Sequence, residues 1–197
     1  VGTSLRDYWR WVQVLRDKRA LKISSFIRIL VIARNPGLNP VDRVTLLANI
    51  RRAVKFRIIN ARIASDHVEL DVDANGLGDI DELRRLGFEV MEVVNIDNEV
   101  GIGNELDVRS SIVKYVELFN RERFWEAHEV LERIWRGNRD EGVRGLIILA
   151  AAFVKIQENN PGAFRRLMAT ARELIANNEV PWISRESLLR KIDEALT

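Results

Sequence analysis

The residues best suited to chemistry in this 197-residue chain fall in one stretch, Asn120 to Trp135, NRERFWEAHEVLERIW. Set at 100° steps, Phe124, Ala127, Val130, Leu131, Ile134 and Trp135 share one arc, and Glu126, Glu129, Arg133 and Arg136 lie opposite. His128 and Glu132 fall at the edge between these faces, one helical turn apart, with β-carbons about 6 Å from each other. Trp125 and Trp135 flank them. An imidazole and a carboxylate on a partly dry rim suit two chemistries, ligation of a divalent metal or proton transfer as an acid–base pair. The same spacing has a plain structural use. Glu132 stands four residues before Arg136, and a lone histidine at a helix boundary is commonly a hydrogen-bonded packing residue. The helix does not itself supply a third metal ligand, for which Glu117 and Glu129 are the nearby choices.

A second constellation lies upstream. Asp71, Asp73, Asn75, Asp79 and Glu82, with Gly76 at the turn, fit positions 1, 3, 5, 9 and 12 of a calcium-binding loop. The context differs, because a strand leads in and Gly78 stands where an apolar residue is usual. Each residue also has a local explanation: outward acids on a half-exposed strand, an Asn-Gly turn, and a capping box of Asp79 with Glu82. Gly101-x-Gly103 lacks the third glycine of a dinucleotide loop and reads as linker. His67 sits at a hairpin turn and reads as exposed.

The elements that must position these groups follow from periodicity. Residues 1–22 place Leu5, Tyr8, Trp9, Val12, Leu15 and Leu21 near helical spacing, an amphipathic lead-in helix. Phe26 to Ala33 reads as a buried strand ended by Asn35-Pro36-Gly37, and Asn39-Pro40 opens a helix. Residues 56–64 and 67–73 form a hairpin, the second strand turning Val68, Leu70 and Val72 inward and Glu69, Asp71 and Asp73 outward. A short helix from Asp79 to Leu86 and a strand from Phe88 to Val94 complete a β-α-β-β-α-β order, the split βαβ (ferredoxin-like) arrangement, over residues 23–96. Residues 97–106 read as a linker. Beyond it the pattern is helical, near 107–121, 123–136, 140–158, 161–177 and 184–196. The fold class is α+β, a small split βαβ domain followed by an all-α helical-bundle domain over 107–197.

His128-x-x-x-Glu132-x-x-Trp135, preceded by Phe119-Asn120 and Phe124-Trp125-Glu126-Ala127, resembles the defining motif of the family called domain of unknown function 309. Gly145-Leu146-Ile147, Leu149-Ala150-Ala151-Ala152 and Asn160-Pro161-Gly162-Ala163 agree with it in order, over roughly residues 110–175. The resemblance implies a compact helical domain whose His-and-Glu motif has been suggested to bind metal, with no established activity. Members often carry histidine late in the central helix, around Lys155. A protonated lysine cannot ligate a metal, so Lys155 weakens that reading here and suits an anion or a carboxylate instead.

Composition sets the outer bounds. The chain is 47% hydrophobic and 30% charged, a composition that folds around a core. It has no cysteine, which excludes disulfides, thiolate metal sites and cysteine nucleophiles and fits a reducing, cytoplasmic setting. The N-terminus lacks the apolar core of an export signal. The longest apolar run, Gly145 to Val154, spans only about 15 Å as a helix, half a bilayer core. Residues 1–62 carry 14 Lys and Arg against 3 Asp and Glu, and residues 63–108 carry 2 against 13. These two segments are expected to pack together and neutralise each other, which leaves nucleic acid as the less favoured partner.

Two functions follow as expectations. In the first, the helical domain binds a divalent metal or a small ligand and supports hydrolysis, with His128 and Glu132 as ligands or acid–base groups and Phe124, Trp125, Trp135 and Lys155 as pocket walls. In the second, the chain is a non-enzymatic binding or scaffolding module whose basic N-terminal face meets nucleic acid or an acidic protein. A homodimer through exposed apolar helix faces is compatible with either.

Overall fold

The computed structural model describes residues 27–96 and 107–197. The helix expected over 1–22 and the linker expected over 97–106 lie outside the described residues. Strand β1 (Ile27–Arg34) leads through a short 3-10 turn, Pro40–Asp42, into helix α1 (Arg43–Ala53). The Asp42 carboxylate reaches back to accept from the Asn39 N–H at 2.8 Å, which fixes that start. Strands β2 (Arg57–Ile63) and β3 (His67–Ala74), helix α2 (Leu77–Arg85) and strand β4 (Val90–Asn95) follow. The sheet order is β2-β3-β1-β4, antiparallel throughout, which gives the split βαβ connectivity expected from the sequence.

Helix α2 starts two residues earlier than Asp79. The Asp79 carboxylate accepts from the Asn75 N–H at 2.7 Å, so it closes the strand-to-helix turn and does not begin a capping box with Glu82. Gly87, at φ +95°, ends the helix where a side chain would be strained.

Five helices form the C-terminal part: α3 (Val108–Asn120), α4 (Phe124–Asn138), α5 (Glu141–Gln157), α6 (Pro161–Asn177) and α7 (Arg185–Leu196). All of these helices but α4 start at a side-chain cap. Asp107 accepts from the Ser110 N–H, Asp140 from Val143, and Asn160 from Ala163, with Pro161 at the first helical position. The apolar α5 is central: Val143, Leu146, Ile147 and Ala150 are buried, and the Tyr115 hydroxyl donates to the Leu146 carbonyl at 3.0 Å. A β-carbon on Gly145 would stand 2.8 Å from the Ile175 side chain, so the missing side chain lets α6 approach α5 closely.

The sheet is covered on both faces. Ile29, Val31, Val68, Leu70 and Val72 pack with Leu47, Ile50, Ile80 and Leu83 of α1 and α2. On the other face Leu30, Ile32 and Val94 pack against Trp125 at the start of α4. Glu69 and Asp71, expected to point into solvent, are 0% and 2% exposed, because the helical part lies over the face that alternation alone assigns to water. A bulge between Ile58 and Asn60 adds a residue to β2. Ile58, Ala61 and Ile63 therefore share the face beneath α1 and α2. Asn60 and Arg62 are thereby turned toward the helices.

The β2 edge is blocked by arginines. Arg43 donates to the Ala61 carbonyl at 2.7 Å, and Arg51 donates to the Ile58 and Ile59 carbonyls at 3.1 and 2.9 Å. Four ion pairs, Arg28–Asp71, Arg34–Glu89, Arg57–Asp73 and Arg62–Glu69, join the basic N-terminal segment to the acidic one that follows. The neutralisation expected from the charge pattern is present in these pairs. Among the described residues no helix is long and apolar enough to cross a membrane.

Candidate functional site

The covered face of the sheet and the helices above it do not close completely. Between them lies a cleft of about 280 Å³. Its floor is formed by Arg28 of β1, Asn60 and Arg62 of β2 and Asp71 of β3. Its roof comes from Trp125 and His128 of α4, and from Lys155 and Glu158 at the end of α5.

Local structure explains each position. The bulge presents Asn60, whose Oδ1 accepts from the Arg43 guanidinium and from the Ala61 N–H, while its Nδ2 donates to Glu158 Oε1 at 2.7 Å. Lys155, in the last turn of α5, donates to Glu158 Oε2 at 2.6 Å. Burial works to raise the Glu158 carboxyl, but the bonds from Lys155 and Asn60 outweigh it and hold it below the usual carboxylate range. Arg28 grips Asp71 with two bonds, Nε to Oδ1 at 2.9 Å and Nη2 to Oδ2 at 2.6 Å.

Trp125 separates this polar floor from the apolar contact at Leu30 and Ile32. The guanidinium carbons of Arg28 and Arg62 stand 5.8 and 5.1 Å from its ring centre.

Behind the floor is a buried chain of charges. Arg62 Nε donates to Glu69 Oε2, and these side chains are 2% and 0% exposed. His67 Nε2 lies 3.7 Å from Glu69 Oε1, and its Nδ1 lies 2.6 Å from Asp66. Burial favours a neutral imidazole, but the Glu69 carboxylate 3.7 Å away and the bond to Asp66 outweigh it and raise the His67 pKa. Burial likewise works against the Glu69 carboxylate, which Arg62 and His67 nevertheless hold below its ordinary value. His67 is 4% exposed, contrary to its expected place in solvent, because α4 and the preceding turn cover the hairpin end: Glu122 binds the Ser65 N–H and hydroxyl at 2.7 and 2.6 Å.

The residues expected to form one site are divided. His128 lines the cleft with its side chain 27% exposed, and its Nδ1 lies 3.3 Å from Glu129 Oε1. That bond holds the Glu129 carboxyl below the usual range. Glu132 is not among the cleft walls and faces Arg136 at 3.4 Å, so the carboxylate that meets the imidazole is Glu129. Trp135 packs on the helical core with the Arg139 guanidinium 4.4 Å from its ring centre. Phe124 stacks with Phe119 and Phe153 at 4.8 and 5.0 Å. Of the four expected pocket walls, Trp125 and Lys155 line the cleft, and Phe124 and Trp135 belong to the core.

The calcium-type residues are not brought into a loop. Asp71 and Asp73 lie within β3, held by Arg28 and Arg57, while Asp79 and Glu82 lie within α2. Among the described residues no group of three or more His, Asp or Glu side chains is disposed to hold a metal ion. Arg28, Asn60, Arg62 and Glu158 were not singled out from the sequence. The first three depend on which sheet face the helices cover, and the bulge that turns Asn60 leaves no mark in residue type.

Residues 112–167, from within α3 into α6, match the family described as Domain of unknown function (DUF309). The match spans the helical roof of the cleft and none of its strand floor. No curated protein and no solved structure matches the chain.

Proposed function

We propose that this chain binds a small polar molecule in the cleft between the sheet and α4–α5, with His128 placed to exchange a proton with it. The observation that carries this reading is the convergence, on one cavity of about 280 Å³, of polar side chains from three strands and two helices. Ligand sites favour such junctions, where rigid elements from two parts of a chain hold a few polar groups around a concave surface. Residues 27–96 and 107–197 act here as two parts whose junction makes the site.

The bond to Glu129 holds the imidazole by one nitrogen and leaves Nε2 for a guest, the arrangement a general acid or base requires. Metal ligation by His128 with Glu132 is not favoured, since Glu132 is engaged with Arg136. The nucleic-acid reading draws little support from Arg51 and Arg52, whose guanidiniums are bound to backbone carbonyls of β2 and α1.

The test is a small-molecule screen on the full chain with ¹⁵N-labelled tryptophan, the Trp125 indole N–H being assigned with a Trp125→Phe variant. Binders are expected that shift the Trp125 signal saturably and lose affinity in His128→Ala. If every binder found moves other indoles and leaves Trp125 still, the cleft is not the binding site.

A further inference from the structure

The donors and acceptors around the cleft do not balance, and the imbalance identifies the chemistry of its guest. Every carboxylate oxygen in the wall is engaged. Both Asp71 oxygens accept from Arg28, and the two Glu158 oxygens accept from Asn60 and Lys155. The Asn60 oxygen is taken by Arg43 and the Ala61 N–H, and one of its two amide N–H groups goes to Glu158.

Donors remain. The Lys155 ammonium has three N–H groups, of which one goes to Glu158. Arg62, 2% exposed and part of the floor, gives Nε to Glu69; its Nη2 has no acceptor and is itself closed to solvent, so Arg62 acts on the cleft as a buried positive charge. His128 keeps Nε2. A positive group set in a dry wall is weakly screened, and the donors left at the cleft are on Lys155 and His128, so a guest carrying negative oxygens is stabilised here above one supplying donors.

We infer that the cleft is an oxyanion site, taking a small molecule through a carboxylate or phosphate group held by Lys155, with His128 as the further donor and the buried Arg62 guanidinium as a positive charge in the floor. This rests on the reading that the cleft binds a ligand, and it specifies which kind. The bond to Glu158 fixes the Lys155 side chain at the cleft wall, and the Arg62 guanidinium in the floor adds a positive group screened from bulk water.

The full chain is titrated, at constant ionic strength, with inorganic phosphate, succinate, glycerol and sodium chloride, reading the Trp125 indole N–H and the His128 ring protons. Phosphate, succinate or both are expected to shift these signals saturably. Phosphate alone identifies a phosphoryl group, succinate alone a carboxylate, and both a site that reads the shared oxygens. Lys155→Met is expected to weaken that binding about tenfold or more, in line with the loss of a charge-assisted hydrogen bond. Lys155 is one-third exposed and its removal leaves Glu158 bound to Asn60, so this variant should fold. His128→Gln, which keeps a donor of similar reach, is the second variant and should weaken binding less. If glycerol moves the cleft signals and neither oxyanion does, the cleft binds but the inference about its guest is wrong. If chloride reproduces the oxyanion shifts, only bulk charge is being felt and the inference is again overturned. If none of the four moves them, both the inference and the reading beneath it fall.

Discussion

Replacing Arg62 by methionine tests the central electrostatic claim, that the buried row behind the cleft is held together by its charges. Arg62 and Glu69 are 2% and 0% exposed, so removing the guanidinium strands a carboxylate in a dry environment. Breaking a buried pair from one side costs about 3 to 5 kcal/mol. His67, with Nε2 at 3.7 Å from Glu69, supplies part of the missing compensation, which places the cost near about 3 kcal/mol. For a chain of this length that corresponds to a melting-temperature drop of roughly 10 °C. The double variant Arg62→Met/Glu69→Leu removes both charges and should recover to within about 1 kcal/mol of the parent.

The pH dependence supplies a sign. In the parent the Glu69 carboxyl is held below its ordinary value, so its contribution is present above the unfolded pKa, near 4.5, and is lost as pH falls through the folded value. Without Arg62, burial dominates and the carboxyl of the variant is expected to rise above its unfolded value. The variant then loses stability as pH rises, and the gap between parent and variant should be widest near neutrality and narrow toward pH 4. Urea unfolding of the three proteins across pH 4 to 8 measures this. A gap that is flat with pH, or a double variant as unstable as the single one, would refute the reasoning.

Other consequences are open to simpler measurement. The His67 pKa is raised, so its stabilising contribution is complete below about 6.5 and fades as pH climbs through the folded value; the stability lost in His67→Phe should shrink from pH 6 to pH 9. Gly142→Ala would put a β-carbon 1.9 Å from the Glu179 carbonyl oxygen, so despite alanine's better helix propensity of about 1 kcal/mol, thermal unfolding should show a net loss. Arg51→Ala uncovers the Ile58 and Ile59 carbonyls at the sheet edge; the expected stability cost is about 1 kcal/mol or less, with light scattering on warming reporting faster aggregation. Glu129→Gln should move the His128 ring signals in an NMR spectrum taken at one fixed pH, and Glu132→Gln should leave them where they were.

The element order was readable because its signals are local. Asn160-Pro161 starts α6 at the expected residue, and Val68, Leu70 and Val72 do face the core. The central apolar run became α5, where Gly145 leaves room for α6 to approach. The site was only half legible. Trp125, His128 and Lys155 stand out by type and sit on the helical roof, whereas the floor depends on a long-range fact, that the helices cover the second face of the sheet. Alternation distinguishes one face of a strand from the other but does not say what lies beyond either, so Glu69 and Asp71 read as solvent-facing acids until the second layer is in place. The pairing of His128 with Glu132 failed for a related reason. Helical spacing makes them neighbours, but it equally makes Glu132 a neighbour of Arg136, and adjacent Glu129 has the reach to meet the imidazole.

The polarity of the junction itself supports a binding role. Its apolar content is small, Leu30, Ile32 and Val94 against Trp125 with Ile96 alongside, while ion pairs at Arg28–Asp71, Arg62–Glu69 and Arg123–Glu92 crowd around it. A junction selected only to fasten two layers would gain more from well-packed aliphatic residues, since a buried ion pair is often neutral or unfavourable beside an apolar replacement of similar volume. What the charged arrangement adds is a rigid set of oriented donors beside a cavity, with each carboxylate already committed to an internal partner. That is an unfavourable way to glue a sheet to a helix pair and a favourable way to keep Lys155 and His128 fixed and available, over the buried Arg62 charge, for something that enters between the layers.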